Sequence, residues 1–299
     1  MKLYFYFFSL IFKKIRIIDL LLILISALIG LSICNYLSLP IDWINSYRSI
    51  LNLTIFKISI DLLSTLRIWI YSNKLRNERL IFQKINNQNL LISLLIMVII
   101  AFLSISMIPY LQIIVRSSDY YLPIYLIALI NLSLLAINQN IVDLSRSIFY
   151  EFVFSAHLSF SIPLVIIGFA INRAPGFFSL IFFQLFLHFM AINLIAKVKF
   201  ISQGDNGIVQ LKIPIPKILL LHNALIVSGY LMWIIMGLLG LEIRIWVYPM
   251  LTIPIGLLSI YQTDKIIKGR SPNFSHAFIS SILCNISVLF SLVVALNQG

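Results

Sequence analysis

Charge is what this chain has least of. Only ten of its 299 residues are acidic, and charged residues of both signs make up 11%, against roughly 25% in a soluble domain. A surface so poor in charge cannot face water, which excludes a soluble globular protein. Cysteine is nearly missing as well. Cys34 and Cys284 both sit in apolar segments, so there is no CxxC pair and no disulfide framework. Glycine-rich phosphate loops, a GxSxG elbow and an HExxH helix are lacking, as is the D-G-x-x-A-R opening of an alcohol-phosphotransferase motif. Gly204 to Gly207 (GDNG) reads as a turn and not as a nucleotide cradle.

What the chain has is apolar side chains: 61% of residues are hydrophobic and the mean hydropathy is +1.02. Nine spans of ~20 residues would take up about 180 positions, close to that hydrophobic share. No room remains for a soluble catalytic domain, so any chemistry lies within the bilayer or at its edge. The expectation is an all-α integral membrane protein, with residues 1–299 forming one polytopic domain of nine transmembrane helices in a bundle around a central cavity. The apolar runs place the spans at 17–39, 49–72, 90–109, 121–142, 148–171, 176–197, 217–240, 243–262 and 274–296. Pro40, Pro123, Pro175-Gly176, Gly204 to Gly207, Pro214 with Pro216, and Ser271-Pro272 punctuate the breaks. The aromatic start, followed by Lys13, Lys14 and Arg16 and then a long apolar run without a small-residue cleavage site, reads as an uncleaved first helix.

The 22 basic residues give a net charge of +12. With no basic domain to present them, they exclude a nucleic-acid partner and point to loops facing anionic lipid. Alternating the nine spans puts sixteen of these cations on one side and four (Arg48, Arg116, Arg173, Arg244) on the other, with Lys57 and Arg67 inside span two. By the positive-inside rule the N-terminus is cytoplasmic and the C-terminus outside. The setting is a prokaryotic plasma membrane or an organelle inner membrane. Long cytoplasmic loops follow spans two and six, about Asn73 to Asn89 and Val198 to Pro216.

Polar residues inside the spans are the candidates for function. Lys57 and Asp61 share a face of span two, as an internal ion pair or as the lining of a cavity with Arg67. Glu151, one turn inside span five, is read as an edge partner of Arg146. His157 and His188 fall near mid-bilayer, and His222 and His276 near helix starts. They are read as hydrogen-bonded packing residues, with a ligand or proton-relay role as the alternative. Gln184, His188 and Asn193 form a polar strip along span six.

After span two the chain reads LRIWIYSNKLRNERLIFQKINNQNLL, and after span six NLIAKVKFISQGDNGIVQL. With nine spans and this orientation, the two segments resemble the UbiA superfamily of intramembrane prenyltransferases, which move an isoprenyl chain from its diphosphate to an acceptor. Arg79 to Asn87 echoes the element that follows the family's first aspartate-rich motif. Lys199, Gln203, Gly207 and Gln210-Leu211 fall at the D, D, G and T-L positions of the second, with Asn193 two residues early. The resemblance implies an isoprenoid diphosphate held at a cytoplasmic mouth by Arg67, Asn73, Lys74, Asn193, Lys197 and Lys199, with spans two and six adjacent.

The departure from the family pattern is in the acids. Mg²⁺ is a hard ion held through carboxylates, yet the first loop offers only Glu78 and the second only Asp205. Asp61, Glu78 and Asp205 are therefore the candidate catalytic acids, with Mg²⁺ a cofactor only if the protein is catalytic and no metal ligands assigned otherwise. The expected function is a diverged prenyltransferase-like protein that handles an isoprenoid diphosphate or isoprenoid lipid. The alternative is a non-enzymatic membrane protein that binds lipid, quinone or pigment or supports a membrane complex. A small-solute transporter would favour paired broken helices and inverted repeats, and neither is evident in the sequence. The topology is checked by cysteine-accessibility labelling: positions near Asn77 and Asn206 should label from the cytoplasm and Gly299 from outside. Cytoplasmic labelling of Gly299 would overturn the span count.

Overall fold

The structure, a computed structural model, describes residues 17–41, 43–44, 46–47, 50–51, 54, 130, 148–170, 178–202, 214–270 and 273–298. Among the described residues there is no strand, and six helical stretches are long and apolar enough to cross a membrane. The chain is a multi-pass helical membrane protein. These stretches coincide with expected spans one, five, six, seven, eight and nine. Spans two, three and four lie outside the described residues, apart from positions 50, 51, 54 and 130.

The helices are α1 (Ile17–Tyr36), α2 (Phe149–Ala156) continued through a π turn (His157–Ser161) into α3 (Ile162–Ala170), α4 (Phe178–Ser202), α5 (Ile215–Leu238), α6 (Ile243–Met250), α7 (Ile253–Ile267) and α8 (Phe274–Asn297). Burial decides their places. The membrane window of α4 is 94% buried, whereas those of α5 and of α6 with α7 are 33% and 28% buried. So α4 stands at the centre, touching α2, α5 and α8, and α8 joins it to α1, α6 and α7. The outer faces of α5 and α7 expose Leu231, Ile234, Leu257 and Leu258, as lipid-facing helices do.

Span eight is two helices. Pro254 has no N–H, so it breaks the ladder at the α6–α7 joint, where the Thr252 hydroxyl turns back to the Pro249 carbonyl at 2.6 Å. The helix also runs past its apolar stretch to Ile267, because its last turns are held by one face only.

Span five is interrupted in a different way. The Ile162 N–H bonds the His157 carbonyl five residues back, which leaves the Leu158 carbonyl without its helical donor. The Ser26 hydroxyl of α1 donates to that carbonyl. One turn on, a Cβ at Gly30 would lie 3.1 Å from Pro163 Cα, so a small residue lets α1 reach the bulge. Freed backbone groups inside a bilayer need such a partner.

Three helix ends close with the same left-handed motif. After α1, Leu39 N–H bonds the Cys34 carbonyl at 3.0 Å and Ser38 N–H the Asn35 carbonyl at 2.9 Å, with Ser38 at φ +53. After α5, Leu241 and Gly240 bond Met236 and Gly237, with Gly240 at φ +94. After α7, Arg270 and Gly269 bond Lys265 and Ile266, with Gly269 at φ +69. Pro40 then stops the first helix.

These closures generate opposite expectations. Ser38 is exposed, so Ser38→Gly removes only the cost of a Cβ at positive φ and should stabilise the protein by about 1 kcal/mol. A Cβ at Gly269 would meet nothing within 4 Å, so Gly269→Ala isolates the same strain and should destabilise by a similar amount. Thermal melts in a single detergent check the pair; two unshifted melting curves would reject the account.

Candidate functional site

Two ends and a polar middle emerge once the helices are paired. At one end α2 begins and α4 finishes. Glu151 and Ser155 are one turn apart on α2, and Asn193 and Lys197 one turn apart on α4. Because the helices run antiparallel, both pairs meet. Lys197 Nζ donates to Glu151 Oε2 at 2.8 Å, and Asn193 Nδ2 to Ser155 Oγ at 2.8 Å, while Ser155 Oγ donates to the Glu151 carbonyl at 2.6 Å. Glu151 and Lys197 are 5% and 4% exposed. Glu151 also lies in the first turn of α2, where the helix dipole favours an anion.

Halfway along the bundle lies a second layer. Gln184 Nε2 donates to the Gly229 carbonyl at 2.7 Å and lies 2.9 Å from His188 Nε2. Since the amide is the donor, His188 Nε2 is the acceptor. Its Nδ1–H then donates to Asn285 Oδ1 at 2.8 Å, and Asn285 Nδ2 donates to the Ser281 carbonyl at 2.8 Å. This contact needs glycine at 229, where a Cβ would sit 3.0 Å from the imidazole. Beside it Tyr230 OH meets Thr252 Oγ1 at 2.9 Å. Toward the cationic end, His222 bonds Asn223 Oδ1 at 3.1 Å and Ser281 Oγ at 2.6 Å, and Thr263 donates to Asn223 Oδ1 at 2.6 Å. Both ring nitrogens of His188 and of His222 are thus engaged by neighbours. They behave as packing residues.

At the far end, Tyr36 OH donates to Glu242 Oε2 at 2.9 Å and Arg244 Nε reaches Glu242 Oε1 at 2.6 Å. The Arg244 guanidinium, then the Tyr36 hydroxyl, hold the Glu242 carboxyl below the usual carboxylate range. Arg244 Nη1 and Tyr248 OH bind the backbone and side-chain oxygens of Gln298, and Asn35 Nδ2 donates to Asn297 Oδ1 at 3.0 Å. This end is electrically neutral in its described side chains. Residues 36, 242 and 297 therefore share one end, and 151, 199, 215, 267 and 274 the other.

Of the expected site residues, Asp61, Arg67, Asn73, Lys74, Glu78 and Asp205 lie outside the described residues, as does the expected meeting of Arg67 with Asn193. Asn193 and Lys197 point into the α2–α4 interface. Lys199 is half-buried, with Nζ 3.9 Å from the centre of the Phe278 ring. Of the polar strip expected along span six, Gln184 and His188 are bonded to each other, and Asn193 turns to α2 instead. Glu151, expected beside Arg146, reaches Lys197; Arg146 is outside the described residues. The sequence does carry a signal for this: polar residues spaced four apart at the start of span five and again at the end of span six. Among the described residues, no group of three or more His, Cys, Asp or Glu side chains is placed to hold a metal.

A single inter-helix hydrogen bond in a membrane contributes about 0.6 kcal/mol, whereas orphaning one partner of a buried ion pair costs about 3–5 kcal/mol. Lys197→Met should therefore destabilise far more than Asn193→Leu. Glu151→Leu/Lys197→Met together should recover most of the loss. Denaturation of the two singles and the double measures the coupling; additive losses would mean the pair is not an energetic unit.

No family model matches the chain, and neither a curated protein nor a solved structure is similar to it. What the site does is therefore read from its own side chains.

Proposed function

We propose that this protein binds an isoprenoid diphosphate, or a related anionic isoprenoid lipid, at its cationic end without efficient Mg²⁺-dependent turnover. The reading keeps the nine-span, UbiA-like arrangement with a cytoplasmic N-terminus, and puts the cationic end at the cytoplasmic face. The observation that carries it is the way α4 finishes. Lys199, two residues beyond the buried Lys197–Glu151 pair, rests over the Phe278 ring close to the end of α4 at Ser202. An ammonium on an aromatic face keeps its charge and serves phosphate as a point charge. It cannot follow a leaving diphosphate through ionisation as a bridging metal does.

One observation favours the non-enzymatic alternative, a protein that holds lipid, quinone or pigment or supports a complex. The polar groups in the middle of the bundle are bonded to one another across helices, which suits a scaffold better than a reaction chamber.

Farnesyl diphosphate binding to the purified protein, followed by intrinsic fluorescence, tests the proposal. Affinity should be weak, should fall as salt is raised, should respond little to Mg²⁺, and should drop several-fold in Lys199→Gln. Mg²⁺-dependent diphosphate release with an aromatic acceptor would overturn the claim of no turnover. A folded protein that binds no isoprenoid diphosphate would overturn the binding claim and leave the scaffold.

A further inference from the structure

The outer face of α7 changes character along its length. Leu258, Tyr261, Lys265 and Lys268 follow one another at three- and four-residue steps, so they form a single stripe. Leu258 is 49% and Tyr261 55% exposed, and the Lys268 side chain is 57% exposed. The stripe passes from aliphatic to aromatic to cationic in ten residues, a rise of about 15 Å. That is about half the thickness of a bilayer's hydrocarbon core.

The cationic top of the stripe is built. Lys265 Nζ stands 4.3 Å from the centre of the Tyr261 ring. Beyond Lys268 the left-handed Gly269 closes the helix, and the Arg270 N–H to Lys265 carbonyl bond of 2.8 Å fixes where the next cation stands. Lys268 pairs with Asp264 at 2.6 Å, but both side chains are more than a third exposed, and such a surface pair is weak. The neighbouring start of α5 adds exposed Lys217. Across the whole of this end, the described residues place six cations (Lys197, Lys199, Lys217, Lys265, Lys268, Arg270) against three carboxylates (Asp19, Glu151, Asp264). Among the described residues the other end has one of each, Arg244 with Glu242.

We propose that the outer face of α7 and the turn after it form a docking surface for one anionic phospholipid, such as phosphatidylglycerol, of the surrounding bilayer. Its acyl chains lie along Leu258, its glycerol region against Tyr261, and its phosphate between Lys265, Lys268 and Arg270. The order apolar, aromatic, cationic is the order of the lipid itself, and the excess charge selects an anionic headgroup over a zwitterionic one. This surface is separate from the isoprenoid reading, which rests on Lys199.

The test uses the full chain in vesicles of equal phosphatidylglycerol and phosphatidylcholine, solubilised and purified, with the retained lipid quantified. The wild type should retain phosphatidylglycerol preferentially, by roughly tenfold. Lys265→Gln/Lys268→Gln should bring the ratio close to one, and Arg244→Gln at the opposite end should leave it unchanged. If the double variant does not fold, Arg270→Gln alone carries the test and should lower the ratio several-fold. Equal retention of both lipids by the wild type would overturn the proposal. So would a loss of selectivity in Lys199→Gln but not in the α7 variants, since the lipid would then sit at the end of α4. Failure of farnesyl diphosphate binding alone leaves the lipid surface standing.

Discussion

The structure depends on the polar side chains that α4 carries through its own buried length. Gln184, His188, Asn193 and Lys197 cannot turn to water, because α4 is enclosed by its neighbours, and lipid offers no hydrogen bonds. Each must find a partner on another helix. Gln184 takes the α5 backbone at Gly229, His188 takes Asn285 of α8, and Asn193 and Lys197 take Ser155 and Glu151 of α2. Apolar packing gives little preference among helix neighbours in a bilayer, since lipid tails are as apolar as leucine. Four directional demands on one helix remove that ambiguity and fix three of its neighbours among the described helices.

The same requirement explains why span five departs from a regular helix. A π turn frees a carbonyl, and a free carbonyl in the hydrocarbon region costs several kcal/mol. The turn is tolerable because Ser26 supplies a hydroxyl and Gly30 lets α1 approach closely enough to deliver it. The bulge and the α1 contact therefore depend on each other. Pro163 stabilises the arrangement from the chain side, because its missing N–H would leave a regular helix one bond short at the same place.

How much of this was legible follows from which signals are local. Six spans could be read because an apolar run of about twenty residues is a property of the run itself. The end of span eight was misjudged by about five residues, 262 against Ile267. The reason is local too: Asp264 and Lys265 break the apolar run while the helix continues on one buried face. The π turn could not be read from the sequence, since His157, Ser159 and Ser161 look like ordinary polar residues inside a helical span. The candidate site was half legible. Lys197, Lys199 and Asn193 stood out as polar residues at the end of span six, but their fates depend on rotation about the helix axis. A difference of two positions sends Lys197 into α2 and Lys199 toward α8, and the sequence alone does not say where those helices stand.

The two ends of the bundle handle their charges in opposite ways, and that contrast bears on function. At the far end Glu242 is held between Arg244 and Tyr36, and Gln298 between Arg244 and Tyr248, so side chains there tie helix ends and the chain's last turn together. Among the described residues of this end, the side-chain charges of Glu242 and Arg244 cancel. At the cationic end the Lys197–Glu151 pair is buried, and the Lys268–Asp264 pair lies on the surface. Lys265 lies on an aromatic ring, which supports an ammonium without neutralising it, and Lys217 and Arg270 are exposed. A bundle held together mainly by polar bonds inside can leave one face charged, because that charge is not required for cohesion. Lys217, Lys268 and Arg270 at that end are exposed, where the proposed anionic lipid would meet them.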